Sequence, residues 1–484
     1  MARPNLLLFQ TDQQRWDSVG AAGNPVVRTP HLDALAARGV RFDQAWGQHS
    51  VCGPSRVSLM TGWYPHVAGH RTLDHLLQPH EPNLLRLLRD GGYQVAMPGH
   101  RGDVFAPGVT EASTDFCGYL VEPDPKLPFT MAHDEDHPMT SAFWFGRQGD
   151  EPRLDGDEAA VQTAIRWLEE GVVDRPWAMW LPLVFPHPPF MVEDPWFSLH
   201  DRADVPLPLA ADAAVGKAGF VEAYRRRYGW DQLDEADLRE IVATYYGMVS
   251  RVDDQLGRVL AALERTGLLD GTVVVHLTDH GEYLGDYQLV EKWPSGLDPQ
   301  LVRLPLTIAG PGVAEGQVAE GLVELIDLLP TLLELAEVEP RHTHFGRSLA
   351  PLLADPSVEH RDLVFSEGGF DPRDVDLFER PGWLYQRKGE LQHDRPELVG
   401  KAIAVRSPTH TYVYRQCEDD EVYDRVADPD ETTNLFGDAA LGPVVGELRQ
   451  ALLDWTVSTS DVIPWDTDPR FPEIPHGWRG EEVV

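Results

Sequence analysis

The sequence predicts an α/β fold in which a large central sheet is sandwiched by helices, followed by a smaller C-terminal α+β domain carrying an antiparallel sheet. Three observations predict it. Apolar strand-like runs end abruptly in polar residues and alternate with helical patterns, the signature of an α/β sandwich. The chain has 484 residues, 42% of them hydrophobic, enough for one big domain with a large core and a lesser one beside it. Near residue 360 the pattern changes to short β-like runs, which places the large domain at 1–360 and the small one at 361–484.

Taken in order, "NLLLFQTDQQ" is a strand that ends at Asp12 and Gln13. "TPHLDALAARGV" comes next as a helix, with Thr29 at the N-cap, Pro30 at the first helical position and Gly39 as the stop signal. After "VCGPS", an apolar stretch opens another helix near Pro54 or Ser55. "DEAAVQTAIRWLEE" has apolar residues at helical spacing. "PWAMWLPLVFPHPPF" is a strand run that cannot continue through its prolines, which leaves His187 between them. The run from Leu238 to Gly267 is a helix of several turns closed by glycine, and "TVVVHLTDHGE" is a second buried strand, ending at Asp279 and His280. "LIDLLPTLLELA" is helical, with Pro330 near its start or kinking it. In the small domain, "KAIAVRS" and "HTYVYRQ" are strands and "VGELRQALLDWTV" a helix. The tail, "PWDTDPRFPEIPHGWRGEEVV", has no periodicity and suits an extended arm packed on the body or on a partner subunit, so a homo-oligomer is open.

Composition narrows the function. A formal net charge of -37 argues against nucleic acid and against an anionic membrane surface, both of which would repel the chain. It does not forbid an anionic substrate, because a buried cation can reverse the field inside a pocket. Three cysteines, at 52, 117 and 417, show no zinc-ligand spacing and no disulfide framework. The apolar run at the N-terminus is too short for a signal peptide, and no segment has the length to span a membrane, so a soluble cytoplasmic protein is expected.

The chemistry concentrates at the ends of two strand runs. Asp12, Gln13, Asp279 and His280 offer two carboxylates, an amide oxygen and an imidazole, a set suited to a hard divalent cation such as calcium, magnesium or manganese. An Asp after a strand is more often a turn or cap residue, but two such pairs at equivalent strand ends favour a metal site. Cys52 would sit at the amino end of its helix, where unpaired N–H groups and the helix dipole favour an anion. The plainer alternative is a buried structural cysteine.

The string Cys52-Gly53-Pro54-Ser55-Arg56 fits the C-x-P-S-R signature of the sulfatases, whose cysteine is oxidised to formylglycine. The chain resembles a type I sulfatase of the alkaline-phosphatase superfamily along nearly all its length. The likeness runs through "PNLLLFQTDQQRWDSVG", "CGPSRVSLMTGWYPH", "TDHGEYLGDYQLVEK", "LVELIDLLPTLLELAEVEP" and "EVYDRVADPDETTNLF". The resemblance implies a mixed central sheet. It also implies a divalent metal, most readily calcium, held by Asp12, Gln13, Asp279 and His280 and completed by the formylglycine made from Cys52. One hydroxyl of the hydrated aldehyde would attack sulfur and the other would then expel sulfate. Arg56 would orient that group, Lys292 would bind the transferred group and help protonate the leaving alcohol, and His187 would stand near the leaving oxygen. A formylglycine-generating enzyme would be the maturation partner, and a small-molecule or carbohydrate sulfate ester the substrate. His66 and His70 are open to a structural reading.

One departure bears on specificity. Many sulfatases carry G-K-W-H-x-G after this point in the chain, where "GGYQVAMPGHRGDVF" has His100 and Arg101 instead. His100 is the expected substrate-side contact, with Asp103 a weaker candidate. The missing pair admits a hydrolase of phosphonate monoesters or phosphodiesters on the same scaffold. A catalytically silent binding protein, keeping fold and metal without the modification, is the alternative from another class. The segments "FMVEDPWFSLH" and "PGWLYQRKGELQHD" could wall the pocket and select the leaving group.

Overall fold

A computed structural model describes residues 3–99, 104–172, 175–465 and 470. Its strands in chain order begin with β1 (Asn5–Thr11), β2 (Gly39–Trp46), β3 (Gln94–Pro98), β4 (Phe116–Gly118) and β5 (Trp144–Arg147). Next come β6 (Trp177–Pro182), β7 (Phe190–Val192), β8 (Thr272–Thr278), β9 (Arg303–Ala309) and β10 (Gln317–Glu324). The last four are β11 (Val364–Gly368), β12 (Ala402–Arg406), β13 (His410–Arg415) and β14 (Glu421–Asp424).

Eight strands form the central sheet in the order β10-β2-β9-β8-β1-β6-β3-β4. The sheet is mixed, as expected: β9 runs antiparallel to both its neighbours, and the other pairs are parallel. Alternation along the inner strands explains how helices cover both faces. Leu7 and Phe9 of β1 and Met179 and Leu181 of β6 belong to one apolar core. Leu6 and Leu8, Ala178 and Trp180, and Val273 and Val275 of β8 belong to the other. Helices Gly156–Glu170 and Glu235–Arg265 pack on the first face, and helices Cys52–Thr61 and Leu328–Leu335 on the second.

Several local readings hold, with refinements. Pro30 is in the first turn of helix Pro30–Ala37, but the Thr29 hydroxyl makes no capping bond. It accepts from Gly20 N–H and donates to Asp33 instead. Pro330 sits in the first turn of helix Leu328–Leu335, where a missing N–H costs no intrahelical bond, and a 3₁₀ turn (Leu325–Asp327) leads into it. Helix Cys52–Thr61 starts two residues earlier than Pro54. No helix among the described residues is long and apolar enough to cross a membrane, and the three cysteines are unpaired by disulfides. Of the tail, Trp465 Nε1 donates to the Thr343 hydroxyl at 2.9 Å; residues 466–469 and 471–484 lie outside the described residues, as do His100, Arg101 and Asp103.

The order β11-β12-β13-β14 makes a separate, wholly antiparallel sheet, covered by helix Gly442–Ser458 through Leu448 and Trp455. It is sutured by a buried carboxylate to the segment that follows helix Cys52–Thr61. Glu367 of β11 accepts from His66 N–H at 3.0 Å, lies 2.6 Å from His66 Nδ1 and pairs with Arg71. Burial pushes the Glu367 carboxyl up, but Arg71 and His66 outweigh it and hold it at about 2. A carboxyl depressed by folding stabilises above its ordinary range and loses that contribution as pH falls toward 2. Glu367→Gln is therefore expected to cost on the order of 3 kcal/mol at neutral pH. It should also flatten the decline of stability between pH of about 4.5 and about 2. Melting temperatures of both proteins across that range check it, and parallel curves would contradict the assignment. His66 is thus structural, its Nε2 reaching the Thr459 carbonyl at 2.9 Å. So is His70, bonded to the His75 carbonyl and to Glu81.

Candidate active site

Parallel pairing brings the expected residues together. Thr11 of β1 faces Thr278 of β8 in register, so the next residues, Asp12 and Asp279, emerge side by side at the carboxyl edge of the sheet. The chain reverses tightly after each. Gln13 adopts a left-handed backbone (φ 64°), and its carbonyl accepts from the Tyr245 hydroxyl at 2.8 Å. Gly281 lies so close to the Gln300 carbonyl oxygen that a Cβ there would stand 2.0 Å from it, which explains a glycine after Asp279-His280.

The oxygens of Asp12 and Asp279 and a ring nitrogen of His280 lie within 4.8 Å of one another, all buried. The His280 Nδ1–H donates to the Gly281 carbonyl (2.9 Å), which leaves Nε2 as a lone pair. That lone pair is 3.5 Å from an Asp12 oxygen and has no hydrogen-bond partner. Burial lowers the pKa of this imidazole, against the raising effect of Asp279 and Asp12. An imidazole nitrogen and two carboxylates converging on one buried point form a donor set that a divalent cation satisfies. Gln13 adjoins it, but its amide oxygen accepts from Lys292 Nζ at 2.6 Å and its amide nitrogen donates to Glu282.

Cys52 is the first residue of helix Cys52–Thr61, which has no side-chain cap at Val51. Ser55 and Arg56 dock that helix on the carboxylate edge. The Ser55 hydroxyl donates to the Asp279 carbonyl (2.6 Å), Arg56 Nε to Asp279 Oδ2 (2.7 Å) and Arg56 Nη2 to Asp12 Oδ2 (2.8 Å). Arg56 is wholly buried, a fixed bridge between the two carboxylates. Pro54 falls in the first turn, where no backbone N–H is required.

His187 arrives from the third strand run. Beyond β6, the backbone N–H groups of Val184 and Phe185 both donate to Asp157 on helix Gly156–Glu170, at 2.8 Å each, which fixes the proline loop. His187 Nδ1 bonds to the Pro188 carbonyl (2.6 Å), and its Nε2 accepts from Lys292 Nζ at 3.0 Å. Lys292 also pairs with Glu291 at 2.6 Å. Burial works against the Lys292 charge, but Glu291 overrides it and holds the ammonium above the usual lysine range.

Sequence reasoning missed the partners that set these charges. Glu291 is clamped between Lys292 and Lys388, each 2.6 Å away, and the two ammonium groups overcome its burial and hold it at about 2. Glu282, buried and near Glu291, is pushed up to about 7. Cys52, His187, Lys292, Glu291, Lys388 and Tyr385 line a common cavity of about 200 Å³. Lys388 and Tyr385 lie in the segment "PGWLYQRKGELQHD", so that expected wall is present; "FMVEDPWFSLH" does not line this cavity.

The sulfatase family model matches residues 4–338, which contain every residue of this edge except the cavity wall at residues 370–392. The chain belongs to the sulfatase family. This sulfatase is 30% identical to the multifunctional alkaline phosphatase superfamily protein PehA of Trinickia caryophylli, over 95% of its own length and 96% of that protein's. It is 26% identical to the ulvan-active sulfatase of Formosa agariphila, covering 93% and 80%. Among solved structures, the phosphonate monoester hydrolase of Agrobacterium radiobacter superimposes with a TM-score of 0.76 at 25% identity, over 94% of this chain and 96% of that one. The sulfatase is accordingly a hydrolase acting on sulfate esters, with the fold of the alkaline-phosphatase superfamily.

Proposed function

We propose that this chain is a metal-dependent sulfuric ester hydrolase that cleaves an organic sulfate monoester to alcohol and sulfate, with formylglycine formed at Cys52 as its nucleophile. The observation that carries this reading is the docking of the Cys52 helix onto the Asp12 and Asp279 carboxylates by Arg56 and onto the Asp279 carbonyl by Ser55, with Cys52 itself lining a cavity that Lys292 and His187 also line.

Asp12, Asp279 and His280 would hold one divalent cation, with Gln13 beside them. The oxygen-rich set favours calcium, with manganese or magnesium as alternatives. Bound there, the cation and the hydrated aldehyde supply a nucleophile acidic enough for neutral pH and a second hydroxyl for releasing sulfate. The chain's own residues do the rest. Arg56 keeps the two carboxylates in place. The helix amino end and the Lys292 ammonium provide positive potential for the sulfuryl oxygens. Lys292 Nζ carries a proton that His187 Nε2 already accepts as a hydrogen bond, so the pair can hand a proton to the departing alkoxide. Asp279→Asn is expected to weaken cation binding and activity together, read by metal titration and turnover; a metal-replete, fully active variant would contradict the ligand assignment.

A second reading is favoured by the likeness to the Agrobacterium phosphonate monoester hydrolase: a phosphonate monoester carries the same net charge as a sulfate monoester. Peptide mass spectrometry across Cys52, on protein co-expressed with a formylglycine-generating enzyme, followed by paired assays with an aryl sulfate and an aryl phosphonate, tests both. The aldehyde with sulfate preferred supports the proposal, and phosphonate preferred supports the second reading. Unconverted cysteine with neither ester cleaved would mark a silent binding protein.

A further inference from the structure

The stretch between β11 and β12 puts a polar wall on the cavity that contains Cys52. Helix Gln386–Asp394 carries Lys388 and Gln392 one turn apart, with Tyr385 just before its first residue, so the three fall on one face. All three line the cavity. Gln392 is 5% exposed, and its side-chain amide makes no hydrogen bond with a described residue. Lys388 Nζ gives one hydrogen to Glu291, at 2.6 Å, and finds no second acceptor among the described residues.

Glu379 lines the same cavity from earlier in the stretch. One of its carboxyl oxygens accepts from the Leu73 N–H, and among the described residues the other has no donor and the group has no paired cation. Burial raises its pKa, and the Leu73 bond and the more distant Lys388 and Lys292 offset only part of that rise. Polar groups held on a cavity wall without protein partners are recognition groups for a ligand. Cys52, Lys292 and His187 would meet the sulfuryl group and the ester oxygen, which leaves this wall to whatever that oxygen carries.

Resting on the sulfate-ester reading, we propose that the leaving alcohol is polyhydroxylated, a sugar or an open-chain polyol, and that Glu379 and Gln392 are specificity-determining residues that hydrogen-bond its free hydroxyls. A hydroxyl both donates and accepts, so it matches a wall that offers a carboxylate acceptor, an ammonium donor and an amide that does both. An alcohol without further hydroxyls would cover the same three groups and leave them unpaired. Such a site rejects the deoxygenated analogue far more strongly than an apolar pocket rejects a misfit.

The test is kcat/KM of the full-length, metal-loaded protein carrying the aldehyde at position 52, on two matched pairs of esters. Glucose 6-sulfate is set against cyclohexylmethyl sulfate, its ring without hydroxyls, and glycerol 1-sulfate against propyl sulfate. The parent is expected to prefer the hydroxylated member of at least one pair by about tenfold or more, and that pair identifies the sugar or the open-chain polyol. Gln392→Met, which keeps the length and removes the amide, should lower that preference about three- to tenfold, and Glu379→Gln, which keeps an acceptor for Leu73, about tenfold. A packing defect would slow both members of a pair alike and leave their ratio unchanged. No preference in the parent, or a preference that neither substitution moves, would overturn the hydroxyl recognition while leaving the hydrolase reading intact. Cleavage of none of the four esters would instead overturn the hydrolase reading and the recognition with it.

Discussion

Cys52→Ser is expected to complete at most one turnover and then stop. The substitution replaces sulfur by a hydroxyl at a buried site, the first position of a helix whose docking depends on Ser55 and Arg56, so the fold should be retained. The serine hydroxyl stands where the nucleophile must, against the same positive field from the helix amino end and Lys292, and can accept a sulfuryl group. It has no second hydroxyl through which to release it. Steady-state activity should fall by at least about 10³-fold, the scale for losing a group acting in the bond-breaking step. Intact-mass analysis after substrate addition should show the gain of one sulfuryl group on the peptide containing residue 52. Undiminished multiple turnover would refute the placement of the nucleophile.

The second large effect is expected at Arg56. Its guanidinium is the counter-charge to both Asp12 and Asp279, and all three side chains are fully buried. Arg56→Met leaves two carboxylates facing each other without it. Breaking a buried pair costs about 3–5 kcal/mol, and the loss here should be largest without a divalent cation, which would otherwise take over part of the neutralisation. Activity should fall at least about 10²-fold, because the carboxylates and the Cys52 helix lose their common anchor. Arg56→Lys keeps the charge but cannot span two carboxylates in one plane, so it should recover stability more than turnover. Melting curves with added cation and with chelator, beside turnover measurements, separate these effects. An Arg56→Met protein as stable as the parent under both conditions would contradict the bridge.

The strand ends are legible because a buried parallel strand is written as an unbroken apolar run, and the polar residues just beyond such runs must lie at one edge of the sheet. Asp12, Asp279 and His280 group together on that basis alone, without knowledge of the strand pairing. Cys52 is legible only through the residues around it, since Ser55 and Arg56 are the ones that dock its helix. Other features have no local trace. Glu291 is a carboxylate beside a lysine in the sequence, and its depressed pKa depends on Lys388, which lies 97 residues away in the chain. Helix Gln386–Asp394 carries mostly polar residues and no capping bond, so no periodic apolar stripe announces it. His187 is singled out by its prolines, but its orientation rests on Asp157, which reads in the sequence as an ordinary first-turn acid.

The link between β11 and β12 has a consequence for how such an enzyme can change. These strands are adjacent and antiparallel, yet residues 369–401 intervene between them and supply Phe370, Glu379, Pro381, Tyr385, Lys388 and Gln392 to the cavity. The side chains that would meet the sulfuryl group, Cys52, His187 and Lys292, come from elsewhere in the chain, and Lys388 is the one residue of the excursion tied to them, through Glu291. Natural variation can therefore rewrite this single excursion, in length or in side chains, while the hairpin that bears it keeps its register. New alcohols become accessible to an inherited reaction by exchange of one contiguous stretch of gene.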